Sequence, residues 1–228
     1  DIPDMPQLVR NAYTGKFETE DLTPTVKVGN FRVLELFRGP TSAFKDVALS
    51  MLPQLLTAAK SAKGMNEDIM ILTATSGDTG KAALVGFQDV PGVRIGVMYP
   101  DGGVSDVQKA QMATQEGANV GVCAIKGNFD DAQTGVKNLF GSEEFAKAMD
   151  EKGKVLSSAN SINFGRLVPQ IVYYFSAYAD LIKLKSIIEW FDADFDFYIH
   201  IDRKCKESYD FLYQYPNVSV CKKYRVRW

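Results

Sequence analysis

Histidine is almost missing from this chain: of 228 residues, only His200 carries an imidazole. A histidine-based triad can form only around that one residue, and no Gly-x-Ser-x-Gly elbow accompanies it. Cysteine is scarce as well. Cys123, Cys205 and Cys221 fall in no metal-ligand spacing, and an odd count without a tight framework points to a reducing compartment, so we expect a cytoplasmic protein without a metal site. No charge of either sign dominates; the net charge of −2 leaves no electrostatic footprint for nucleic acid. No apolar run approaches the roughly 20 residues that a membrane helix needs. The opening residues Asp1 to Pro6 lack both a signal-peptide pattern and an initiator Met, so the expected start lies upstream. What is present is a core-forming composition: 46% of residues are apolar and 24% charged, enough for one large or two small domains.

The pattern from about residue 45 to 182 alternates helices and strands. Lys45 to Ala62 has apolar residues at helical spacing, with Pro53 arguing for a kink. Ile69 to Thr73 reads as a buried strand, Ser76 to Gly80 as a turn, and Thr79 to Gln88 as a helix. Val93 to Met98 is the next strand. Ser105 to Glu116 is a helix opened by Ser105 and Gln108 in capping-box spacing. Asn119 to Ile125 is a strand, Asp130 to Asp150 one long helix, Lys154 to Ser157 a strand, and Asn163 to Ile182 a helix. Such alternation predicts an α/β fold: a parallel sheet flanked by helices, with sites at the carboxyl ends of the strands. Beyond about residue 183 aromatic residues crowd the sequence, with a helix expected over Leu184 to Trp190 and a strand over Phe197 to Ile201.

Three runs carry chemistry. Lys45, in Gly39-Pro40-Thr41-Ser42-Ala43-Phe44-Lys45-Asp46, stands at the start of a helix with Phe44 beside it. The positive end of the helix dipole favours the neutral amine that imine formation needs. On local context alone, an ordinary surface lysine in a first helical turn is the stronger reading. The run Thr73-Ala74-Thr75-Ser76-Gly77-Asp78-Thr79-Gly80 is a small-residue turn between strand and helix. Its N–H groups can converge on a carboxylate or phosphate, or Asp78 or Thr79 can simply cap the helix. In the third run, residues 157–166, Asn160, Ser161, Asn163 and Arg166 can meet an anion, with Arg166 as the forked partner. Capping by Ser161 or Asn163 with a solvated Arg166 is the alternative. Gly127-Asn128-Phe129-Asp130-Asp131 reads as a helix start, its two acids complementing the dipole.

Together, in this order and spacing, the runs Gly-Pro-Thr-x-Ala-Phe-Lys-Asp, Thr-Ser-Gly-Asp-Thr-Gly and Ala-Asn-Ser-Ile-Asn-x-x-Arg resemble threonine synthase. The resemblance covers about residues 1–182 and includes Tyr99-Pro100 and the run from Ser105 to Met112. It implies a fold-type II enzyme dependent on pyridoxal 5′-phosphate that converts O-phosphohomoserine and water to threonine and phosphate. Lys45 would carry the cofactor as a Schiff base and later shuttle protons, with Phe44 and Asn160 as cofactor contacts. Ser76, Gly77, Asp78, Thr79 and Gly80 would hold the substrate carboxylate. Ser161, Asn163 and Arg166 would help hold the substrate phosphate or cofactor oxygens.

The chain also departs from that family. A Gly-Asn-Phe-Gly-type phosphate loop is not found after the helix ending near Leu181, and a segment upstream of Asp1 is missing. Instead, residues 184–228, with Ile199-His200-Ile201-Asp202-Arg203-Lys204, resemble the N-terminal part of core-2/I-branching-type glycosyltransferases, in which this segment lies near a sugar-nucleotide site. The expectation is an incomplete threonine-synthase-like domain over 1–182 fused near Asp180 to Ser186 to an unrelated α/β fragment over 183–228. The expected consequence is activity lost through truncation, with uncovered apolar faces and a sheet edge favouring aggregation.

Overall fold

The computed structural model of the chain describes residues 4–29 and 31–188. In chain order the elements are α1 (Met5–Tyr13), β1 (Thr25–Val28), β2 (Phe31–Leu34), α2 (Asp46–Ala62), β3 (Asp68–Ala74), α3 (Asp78–Phe87), β4 (Val93–Pro100), α4 (Asp106–Ala113), β5 (Val120–Ile125), α5 (Phe129–Gly141), α6 (Glu143–Asp150), β6 (Lys154–Ser157) and α7 (Phe164–Ile188). These described residues divide into two units. One holds residues 4–22 and 36–173; the other holds the rest.

The first unit is built on a four-stranded sheet of order β5-β4-β3-β6, parallel throughout. Alternate side chains of β3 and β4 feed two cores, as the two-residue period of a strand requires. Ile69, Ile71, Val93, Ile95, Val97 and Tyr99 join Leu49 and Leu52 of α2, Ala82 to Leu84 and Phe87 of α3, and Met112 of α4. On the other face Leu72 and Ala74, with Met70 and Met98, pack against Ala132, Val136 and Leu139 of α5 and Phe145 of α6. Coverage on both faces explains why Ile69 to Thr73 is apolar without alternation. The chain runs β3-β4-β5 outward and then returns to place β6 on the opposite side of β3. The order therefore reverses between β3 and β6, and crevices outside the carboxyl ends of strands at such a reversal are where α/β folds bind ligands.

Helices α2 and α3 approach closely at Gly86, where a Cβ would collide with the backbone oxygen of Leu49. That oxygen is the one Pro53 leaves without its i→i+4 donor. Helix α2 nevertheless runs unbroken past Pro53 to Ala62, so the expected kink does not interrupt it. Helix α1 docks on α2 through the Tyr13 hydroxyl, which donates to the Val47 carbonyl at 2.9 Å. Burial raises the phenol of Tyr13 well above its ordinary pKa.

In the second unit β1 and β2 form an antiparallel hairpin pairing Val28 with Phe31, and Gly29 takes the positive φ of 59° that the turn needs.

The strands of the parallel sheet and most helices fall where the sequence patterns place them, and the fold is the expected parallel sheet flanked by helices; the hairpin of β1 and β2 was not read from the sequence. Three details differ. The single helix expected over Asp130 to Asp150 is two helices, because Ser142 leaves the helical region and accepts a hydrogen bond from the Phe145 N–H as the cap of α6. Helix α4 ends at Ala113, before Gly117. Helix α7 runs on to Ile188 instead of ending at Ile182. The expected strand Phe197 to Ile201, His200, Asp202 and the rest of the glycosyltransferase-like segment lie outside the described residues. Among the described residues no helix is long and apolar enough to cross a membrane, and no cluster of three or more His, Cys, Asp or Glu side chains is placed to hold a metal ion.

Candidate active site

Lys45 stands at the N-cap position of α2, and its side chain is only 5% exposed. It is therefore not the solvated lysine that local context allowed. Its Nζ lies 4.2 Å from the centroid of the Phe44 ring, a cation–π contact, and 3.8 Å from Asp78 Oδ2. Asp78 is the first residue of α3, so two helix N-termini bring these charges together.

The turn that presents Lys45 is held by Asp46. Its buried carboxylate accepts from the Thr41 N–H at 2.8 Å, from the Thr41 hydroxyl at 2.5 Å and from the Ala43 N–H at 3.4 Å. Burial pushes the Asp46 carboxyl above its ordinary range, the Thr41 and Ala43 donors pull it down, and the charge of Asp78 pushes it up again. Gly39 has to lack a side chain here, because a Cβ would lie 2.5 Å from the Cβ of Asp46. Ser42 completes the turn at a positive φ of 56°, a strained conformation for a residue other than glycine.

The second run forms the connection from β3 to α3. Thr75, fully buried, organises it: its hydroxyl accepts from the N–H groups of Gly77 at 2.9 Å and Gly80 at 2.8 Å. Two of the loop's donors are thereby committed. Among the described residues the N–H groups of Ser76, Asp78 and Thr79 find no acceptor, and they belong to a helix N-terminus whose dipole favours negative charge. The carboxylate of Asp78 is turned to Lys45 and to Gln108, whose Nε2 donates to Asp78 Oδ1 at 2.6 Å.

The third run leaves β6, the strand paired with β3, so it reaches the same end of the sheet. Asn160 spends its amide on β3: Nδ2 donates to the Ala74 carbonyl at 2.8 Å and Oδ1 accepts from the Ala74 N–H at 3.1 Å. Asn163 caps α7, accepting from the Gly165 N–H at 2.9 Å and donating to the Ser158 carbonyl at 2.8 Å. Arg166 is buried, and its guanidinium donates to the Ala159 carbonyl at 3.0 Å. Ser161 is half-buried between them. Gly127 to Asp131 is a helix start, as expected, with Asn128 and Asp131 forming a reciprocal capping box.

A buried lysine at a helix start, facing a small-residue loop with uncommitted N–H groups, is set beside a polar loop from the neighbouring strand. Known proteins are similar to the chain over most of its length. The chain is 39% identical over 184 residues to threonine synthase-like 1 of Homo sapiens, a match covering 78% of this chain and 24% of that protein. It is 44% identical over 175 residues to threonine synthase of Pseudomonas aeruginosa, covering 76% of this chain and 36% of that one. The crystal structure of PLP-bound threonine synthase from Brucella melitensis superposes with a TM-score of 0.69 at 43% identity, over 79% of this chain and 38% of that chain. The chain is homologous to part of threonine synthase. No family model matches it. It thus spans between about a quarter and two fifths of the threonine synthases to which it is similar.

Sequence reasoning about the threonine-synthase motifs missed three residues. Thr75 and Asp46 were inside the quoted runs, but their side chains hold backbone, and short polar side chains next to a turn were the available signal. Gln108 showed itself only as a cap residue; its second partner, 30 positions away in sequence, is visible only in three dimensions.

Proposed function

We propose that this chain carries the lysine-bearing part of a pyridoxal-phosphate-dependent lyase of the threonine-synthase type, acting on O-phosphohomoserine and water to give threonine and phosphate. The observation that carries the reading is the burial of Lys45 beside the Ser76 to Gly80 loop. The residues fit the cofactor: a buried amine suits its aldehyde, and the Phe44 ring against that amine gives an aromatic neighbour. When bound, the cofactor supplies an electron sink for negative charge developing on carbon.

The chain's own residues do the rest. Lys45 would hold the cofactor through its amine and then move protons at the substrate carbons. Asp78 would keep that amine oriented. The N–H groups of Ser76, Asp78 and Thr79, in a loop shaped by Gly77 and Gly80, would bind the substrate carboxylate. Ser161 and Asn163 would face the substrate phosphate, with Asn160 and Arg166 fixing the loop that carries them and Arg166 adding positive charge. Scattered cysteines and an exposed free Cys123 support a reducing, cytoplasmic setting.

The test is to incubate the protein with pyridoxal phosphate, reduce with borohydride and map the adduct. A single adduct on Lys45, lost in Lys45→Ala, is expected. Label spread over surface lysines, or equal labelling of the variant, ends the proposal. Turnover is a separate measurement, because the chain spans at most 38% of the threonine synthases compared above. Cofactor capture without robust threonine formation is expected from these 228 residues alone.

A further inference from the structure

Gln108 belongs to α4, separated from the Lys45 helix α2 by β3, α3 and β4, yet it joins the same cluster. Its Oε1 accepts from both the N–H and the hydroxyl of Ser105, at 3.3 and 3.1 Å. The backbone N–H can only donate, so the orientation of the amide is fixed: Oε1 toward Ser105, Nε2 toward Asp78. Nε2 then donates to Asp78 Oδ1 at 2.6 Å, while Asp78 Oδ2 lies 3.8 Å from Lys45 Nζ. Gly77 makes room for this arrangement, since any Cβ there would overlap the amide of Gln108. A carboxylate that is 44% exposed would otherwise rotate into water.

We propose that Gln108 is a positioning residue: its amide N–H fixes the Asp78 carboxylate so that the other oxygen faces the amine of Lys45. The inference rests on the reading of Lys45 given above, but it concerns the cofactor-free chain and can be tested there. Losing the Gln108 donor releases the Asp78 carboxylate from its place beside Lys45 Nζ and leaves that amine less tied and more open to reaction with an aldehyde.

The experiment is reductive methylation with formaldehyde and cyanoborohydride, with peptide mass mapping of Lys45 against the exposed Lys137 as an internal standard. In Gln108→Met the Lys45 to Lys137 ratio should rise up to about fivefold, the range an ion pair with an exposed partner spans. Asp78→Asn should raise it equally, and the double variant should go no further than Asp78→Asn alone. Ser105→Ala, which removes the cap and leaves the Gln108 donor in place, should lower thermal stability without moving the ratio. Should Gln108→Met fail to fold, Gln108→Leu deletes the donor without adding a charge, and the same non-additivity with Asp78→Asn is required. An unchanged ratio in the Gln108 variant while Asp78→Asn responds, or additive effects in the double variant, overturns the proposal. Absence of a pyridoxal adduct on wild-type Lys45 would refute the lyase reading alone and leave this coupling standing.

Discussion

Asp46, next in sequence to Lys45, carries a buried carboxylate whose proton is held more tightly in the folded chain than in the unfolded one, chiefly because burial disfavours its charge. The linkage has a definite sign. Asp46 contributes stability that is fully present below the unfolded carboxylate pKa and is lost as pH rises through the raised folded value. Asp46→Asn can keep the turn, with its oxygen accepting from the Thr41 and Ala43 N–H groups and its amide donating to the Thr41 hydroxyl, yet it has no proton to lose. The melting temperature of the wild type should therefore gain on that of Asp46→Asn as pH falls from about 7 to about 4; a constant difference across that range would show that Asp46 does not titrate as described. At this scale the sequence was informative about identity and silent about partners. The order of the motifs singled out Lys45. Nothing in residues 158–166 told that Asn160 would spend its amide on Ala74, or that Arg166 would be buried, because both outcomes depend on the pairing of β6 with β3.

Helices α2 and α3 set the spacing between Lys45 and Asp78, and that spacing is fixed where Gly86 meets the Leu49 carbonyl. Backbone cannot retreat as a flexible side chain can. Gly86→Ala should therefore cost roughly 1–3 kcal/mol in spite of alanine's better helix propensity, and it should reduce pyridoxal labelling of Lys45. Urea unfolding reads the first effect and adduct mapping the second; a variant as stable as the wild type would mean that the helices can separate freely. The legibility of the elements followed their periodicity. β3 and β4 stood out because both faces are covered, and α4 because of its capping box. Helix α1 went unread although Asp4 caps it, Pro6 occupies its first turn and Met5, Leu8, Val9, Ala12 and Tyr13 recur at helical spacing, because that stripe lasts only nine residues. The break at Ser142 was hidden because apolar spacing continues across it from α5 into α6.

The sheet of the first unit ends in β5 on one side, where Gly121 to Ala124 are exposed, and Ile162 and Phe164 stand 82% and 73% exposed at the start of α7. A parallel edge strand with bare apolar residues invites pairing between copies. Val122→Lys, placed on that strand at an exposed position, should slow the growth of light scattering in concentrated solution and leave the melting temperature within about 0.5 kcal/mol equivalent of the wild type. Unaltered scattering would move the origin of association away from β5. One earlier feature has a consequence in time. The amide of Asn160 clasps Ala74 across 86 positions of chain. On the ribosome β3, β4 and β5 emerge with their helices well before that asparagine is made. The nascent chain can pair β3, β4 and β5 early, but the loop from β6 can lock onto β3 only when synthesis has passed residue 160, so the cluster around Lys45 is completed late in the translation of this unit rather than at its beginning.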